Sequence, residues 1–177
     1  SDNTHMDIVI SQLFRNPAPW GDYDPFARRN FDLHRRIADE VTGNRFRRGR
    51  IESIIERFTD ECGPFFRHNA SLEEYRKEFQ LIGRAVEMID QHSQNIDYLP
   101  QLAAHVEEVT DEQGTRFLPN DMLGYCWLLI ARDIEYGVTY ERCLPGGSWC
   151  GRYVSSVPLI GNHSIWCGAE CEVKDQA

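Results

Sequence analysis

The chain has 177 residues, 41% of them hydrophobic, which suits one well-buried core and about the length of a single domain. Its net charge of −9 argues against general nucleic-acid binding, because phosphate attraction supplies most non-specific affinity. No run approaches the roughly 18 apolar residues of a membrane-spanning helix.

The charge is uneven. Residues 1–57 carry ten Arg against nine Asp and Glu, while residues 58–177 carry a balance of −10. Of the cationic side chains 17 are Arg, and only Lys77 and Lys174 are Lys. A GC-rich genome explains that bias most simply; bidentate pairing of guanidinium with carboxylate or phosphate is the sharper explanation.

Ser1-Asp2-Asn3-Thr4-His5-Met6 reads as a vector remnant, with native sequence from about Met6 or Asp7. The early apolar stretch Ile8-Val9-Ile10 is too short for a signal-peptide core, although a leader removed ahead of it fits the sequence equally well. Residues 7–25, with Pro17, Pro19, Gly21 and Pro25 around Trp20 and Tyr23, predict an extended lead-in.

Helical spacing begins at Phe26 and continues through Leu33, Ile37 and Val41 to a stop at Gly43-Asn44. Ile51, Ile54, Ile55, Phe58 and Cys62 form a second stripe, closed by Gly63-Pro64. Ser71 with Glu74 has the pattern of a capping box. Leu72, Tyr75, Phe79, Ile82, Val86 and Ile89 then alternate by three and four, predicting an amphipathic helix over about 71–92.

A fourth helix is expected from Leu99, Leu102, Ala103, Val106 and Val109, capped by Asp97 and ending near Gly114. A fifth would be capped by Asn120 or Asp121, run through Leu123, Trp127, Ile130 and Ile134, and end at Gly137. Beyond it, Tyr140, Tyr153, Val154, Val157, Ile160 and Ile165 sit among Gly, Pro and Ser, as short strands and tight turns would. The expected fold is α+β, mainly α. A bundle-like core of four to five helices over 26–137 is followed by a small β-rich, cysteine-rich subdomain over 138–177, all in one domain from residue 7.

That tail holds Cys143, Cys150, Cys167 and Cys171. Two disulfides are the leading expectation, free thiols the next, and zinc the minority reading, with no resident cofactor otherwise expected. Cys167-x3-Cys171 has the tight spacing of a zinc pair, whereas Cys143-x6-Cys150 is loose. An even count of six cysteines and the sequons at Asn69 and Asn162 tilt the expected location slightly toward export.

Gly124-Tyr125-Cys126-Trp127, followed by an apolar run, resembles the G-x-C-W segment of papain-like cysteine proteases and their viral leader-protease relatives. The resemblance implies Cys126 as nucleophile at a helix start, His163 as its base, and Asp175 or Asn162 to orient the histidine. Transglutaminase-like folds share that chain order. The likeness covers four to eight residues, and no Gln precedes Cys126 closely enough for an oxyanion hole. The competing reading places Cys126 beside the apolar stripe as an inert core residue.

Eight Arg fall within residues 28–50, with Arg45, Arg47, Arg48 and Arg50 in one loop. They predict either a grip on phosphate, RNA or an acidic partner, or internal pairing with the acidic helices downstream, which is preferred. His34, His92 and His105 lack metal-ligand spacing and are expected on polar faces. With no phosphate loop, dinucleotide fingerprint or complete triad, the leading expectation is a protein that binds or modulates another macromolecule, of effector, immunity or regulatory type. A thiol hydrolase is the alternative, and phosphate or RNA binding the next. The expected partner is another protein, not nucleic acid.

Overall fold

The computed structural model of the chain describes residues 23, 25, 30–43, 50–112, 114–156 and 165–176, apart from the side chains of residues 115 and 116. It is α+β and mainly α, as the periodicity predicts. Three long helices lead: α1 (Leu33–Gly43), α2 (Ile51–Cys62) and α3 (Leu72–Asp90). A short α4 (Leu99–His105) runs into the antiparallel hairpin β1 (Val106–Asp111) and β2 (Gly114–Pro119). Helix α5 (Met122–Tyr136) follows, then the small hairpin β3 (Tyr140–Arg142) and β4 (Tyr153–Ser155), and last α6 (Ala169–Gln176). No helix among the described residues is long and apolar enough to cross a membrane.

The capping box forms as the sequence predicts. Glu74 N–H donates to Ser71 Oγ, and Ser71 N–H donates to the Glu74 carboxylate. Helix α3 then lays Phe79, Ile82, Ala85 and Val86 into the core. There Phe58, Phe65, Phe66 and Tyr75 pack edge-on around it, with Phe65 and Phe79 ring centroids 5.1 Å apart. Helix α1 crosses α3 so closely that a Cβ at Gly83 would lie 2.5 Å from Val41 Cγ2.

Helix α5 is the centre of the molecule. Every residue from Met122 to Asp133 is buried, so the predicted one-sided stripe is in fact a helix enclosed all round. Its start is set by Asp121, whose carboxylate accepts the Gly124 N–H at 2.8 Å. A Cβ at Gly124 would meet the His105 carbonyl oxygen at 2.2 Å, so only glycine lets α5 pass this close to the end of α4.

The fourth element departs from expectation. The helix stops at His105, and Val106 and Val109 lie on a strand. The run Val106-Glu107-Glu108-Val109-Thr110 holds three β-branched residues, and a turn ending at Gly114 (φ 112°) folds it back on residues 114–119. Hairpin pairing beat the helical spacing that two valines three residues apart had suggested. Nor does Asp97 cap α4: the N-cap is Tyr98, and a proline (Pro100) fills its first turn.

Of the histidines expected on polar faces, His92 is exposed, but His34 and His105 are buried. His105 sits between two carboxylates, Nδ1 3.1 Å from Asp121 Oδ2 and Nε2 3.8 Å from Glu78 Oε2. Burial alone would lower its pKa, but the hydrogen bond with Asp121 and the negative charges of Asp121 and Glu78 outweigh that and raise it to about 9. A raised histidine stabilises fully below its unfolded value of about 6.5, and that stability is lost as pH rises through the folded value. The unfolding free energy from urea titration is therefore expected to fall between pH 6.5 and 9.5 by up to about 3 kcal/mol. In His105→Gln this slope should flatten. A variant with the wild-type slope would show that His105 does not carry it.

Candidate metal centre

The C-terminal unit is built as hairpin, knuckle and helix. Strands β3 and β4 pair antiparallel, with Arg142 opposite Tyr153. Between them the chain leaves Cys143, makes one 3-10 turn at Pro145–Gly147 and returns to Cys150. Backbone bonds close the loop: Cys150 N–H donates to Cys143 C=O at 3.1 Å, and Cys143 N–H to Arg152 C=O at 3.0 Å. Cys167 precedes α6, and Cys171 lies one turn into it.

Those four sulfurs, from four sites along 29 residues of chain, all lie within 4.8 Å of one another. Cys150 Sγ is 3.8 Å from Cys167 Sγ, and Cys167 Sγ is 3.6 Å from Cys171 Sγ. A disulfide holds its sulfurs at about 2.05 Å. The structure draws no S–S bond between any of the six cysteines, and the four C-terminal sulfurs stand together as thiols. A tetrahedral metal with metal–sulfur bonds of about 2.3 Å has sulfur–sulfur edges of about 3.8 Å. The 3.6 Å and 3.8 Å separations match such edges, and no pair of the four exceeds 4.8 Å.

Burial pushes the Cys143 thiol up to about 11. Burial also raises Cys167, and the neighbouring Cys171 and Cys143 thiols add to it. Four thiolates this close repel one another, and a divalent cation at their centre would invert that logic. N–H groups already face the sulfurs, as they do around bound metals: Cys167 N–H lies 3.2 Å from Cys143 Sγ. At Cys150 burial opposes ionisation, yet the Arg152 N–H and the surrounding thiols hold its pKa below the ordinary thiol value.

Helix α1 docks this unit on the helical body. The buried Asp32 carboxylate accepts Arg152 Nε at 3.0 Å, Arg152 Nη2 at 2.9 Å and the Tyr153 N–H at 2.8 Å. Tyr140 Oη donates to Asp133 Oδ1 at 2.8 Å, and Asp133 Oδ2 lies 2.7 Å from Nε2 of the fully buried His34. Tyr153 Oη reaches Asp39. The Arg35 guanidinium lies 4.7 Å from the Tyr140 ring centroid and bonds Asp90 of α3.

The thiol-enzyme residues do not form a site among the described residues. Cys126 is fully buried five residues into α5, and burial raises its thiol pKa well above the ordinary value. A thiol nucleophile needs exposure and the opposite shift. Each letter of Gly124-Tyr125-Cys126-Trp127 has a packing reason instead. Gly124 clears the His105 carbonyl, Tyr125 Oη donates to Asn30 C=O at 2.8 Å, and Cys126 and Trp127 fill the core. His163 and Asn162 lie outside the described residues. Asp175 belongs to the cysteine unit, where its carboxylate accepts the Gly146 N–H at 2.7 Å and pins α6 to the knuckle. Iodoacetamide near neutral pH is accordingly expected to leave Cys126 unmodified until the protein is denatured, read by peptide mass. Rapid labelling of Cys126 in the folded protein would restore the enzyme reading.

Of the basic loop, Arg50 is exposed and precedes α2, while Arg45, Arg47 and Arg48 lie outside the described residues. Several other Arg of the 28–50 stretch and its neighbour pair internally: Arg36 with Glu61, Arg35 with Asp90, and Arg57 with Glu40. Three further residues bear on the site: Asp32, Arg152 and Trp149. A signal existed only for Trp149, an aromatic beside a knuckle cysteine; the 120-residue separation of Asp32 and Arg152 gives none.

No family model, no curated protein and no solved structure matches the chain.

Proposed function

We propose that this protein is a zinc-stabilised binding module, which acts by docking another protein and has no catalytic site of its own. The observation that carries the reading is the tetrathiolate-sized cluster of Cys143, Cys150, Cys167 and Cys171. Four thiols gathered this closely suit zinc, and a closed set of four protein ligands is the structural type, with no position left for substrate or water. The metal would fix a hairpin and helix that bury little by themselves, since none of the residues of α6 is buried.

Binding is supported by what the unit exposes. Of the six exposed large hydrophobic side chains among the described residues, Leu144, Trp149, Ile165 and Val173 belong to it. Apolar exposure gathered on one small unit marks an interaction surface more often than scattered residues do. A protein partner is favoured over nucleic acid because α6 carries Glu170, Glu172 and Asp175 against Lys174 alone, which repels phosphate.

Elemental analysis of the reduced, zinc-reconstituted chain tests the reading. One zinc per chain is expected, falling to none in Cys143→Ser with Cys171→Ser. A reduced chain that takes up no metal, or an intact mass two hydrogens lighter for each bridge, would sink it.

A further inference from the structure

The seam between the helical body and the cysteine unit opens into a cleft of about 420 Å3. One wall is Phe58 with the carboxylates Asp39, Glu40 and Glu61 of α1 and α2, and the other is Trp149 and Gly151, on either side of Cys150. Clefts of this size at such seams are common ligand sites.

Two guanidinium groups, Arg36 and Arg57, also reach the cleft. Both are committed. Arg36 lies 3.1 Å and 3.2 Å from the two Glu61 oxygens and bonds Asn30, and Arg57 lies 2.7 Å from Glu40. An anion would have to break these pairs. A cation would not, because each carboxylate accepts about four hydrogen bonds and three carboxylates face two guanidinium groups.

The aromatic wall narrows the choice of cation. Trp149 is 39% exposed, and its ring already carries the Arg142 guanidinium 4.3 Å from the centroid. Arg36 lies over Phe58 in the same way, at 5.7 Å. Arg36 thus already sits in the cleft between an aromatic face and a carboxylate, and Trp149 shows that its ring accepts a guanidinium. A planar guanidinium satisfies both features, stacking on a ring while its fork meets a carboxylate, whereas a compact ammonium does so less well. The net charge of −9 would steer a basic partner toward the chain.

We infer that this cleft takes an arginine side chain from a basic segment of a partner protein, held between Trp149 and the carboxylates of Asp39, Glu40 and Glu61. The inference rests on the protein-binding reading and names the partner's chemistry. Trp149 neighbours Cys150, so the metal that fixes the knuckle also positions one wall of the cleft.

Calorimetric titration of the zinc-loaded full chain with a tetra-arginine peptide tests it, with a tetra-glutamate peptide and inorganic phosphate as counter-probes. Saturable one-to-one binding of tetra-arginine is expected. It should weaken at least tenfold in Trp149→Ala and in Glu40→Gln with Glu61→Gln. Trp149→Phe, which keeps a ring, should lose no more than about threefold. Charge loss at the exposed Glu107 and Glu108 on β1 should leave it unchanged. Equal weakening by those remote changes, indifference to Trp149→Ala, or preference for tetra-glutamate or phosphate would each overturn the inference. Zinc content measured on the same samples separates the two readings. Full zinc occupancy without arginine binding rejects the cleft and leaves the metal module standing, whereas arginine binding without zinc does the reverse.

Discussion

Stripping zinc with a chelator is expected to melt residues 138–176 while α3 and α5 stay folded. The reason is the poverty of the C-terminal unit's own packing. Strands β3 and β4 have three residues each, and α6 buries none of its eight. Such a unit offsets little of the entropy of ordering its chain, so in the proposed module ion binding would supply the stabilisation; structural zinc contributes about 10–16 kcal/mol in small finger peptides. The helical body keeps its own core of Phe58, Phe65, Phe79, Leu123 and Ile130 and has no such dependence. Hydrogen exchange reads the outcome residue by residue. The amides of Cys143, Cys150 and Tyr153, which donate to backbone carbonyls and to Asp32, should lose protection on chelation, and those of α5 should keep it. Unchanged protection at all three would mean that the cluster holds no structural metal. Because Cys143 is fully buried and Cys150 is exposed, Cys143→Ser should perturb the unit more than Cys150→Ser does.

Arg152→Ala is expected to destabilise the protein by about 3 kcal/mol, at the low end for breaking a buried ion pair because Arg152 retains some exposure. Its guanidinium makes a forked contact with a carboxylate that is 2% exposed, and once it is gone Asp32 keeps, among the described residues, the Tyr153 N–H and the more distant Arg36 Nε, at 3.5 Å. Lysine should rescue little, since one ammonium cannot reproduce the fork. The effect should also reach across the seam, because the contact holds β4 against the start of α1. A double-mutant cycle with Asp32→Asn in urea measures the coupling. A coupling energy near zero would remove Asp32 and Arg152 as the link between the two parts.

Elements whose signal is local were legible in the sequence. Ser71 and Glu74 are three residues apart, Asp121 precedes its helix directly, and Gly63 and Gly137 end theirs, so caps and stripes fixed α2, α3 and α5 within a few residues. Where two local signals competed, spacing misled: Val106 and Val109 fit a helix period but entered a hairpin. The final helix α6 was missed because Ala169 to Gln176 has no apolar stripe, and contacts through Asp175 and the cysteines hold it in place.

The candidate site shows the same division more sharply. Composition and spacing by themselves determined a mainly α chain, an acidic surface and a tail carrying four cysteines of undecided chemistry. Only the tertiary structure decided that these cysteines converge as an open cluster, that Cys126 is enclosed in the core, and that Asp32 meets Arg152 and His34 meets Asp133. The physical reason is range. Helix caps and apolar periods act over three or four residues and leave a trace in the sequence. Convergence of thiols spread over 29 residues, or of ion partners 120 positions apart, depends on how separate elements pack, and no local pattern records that.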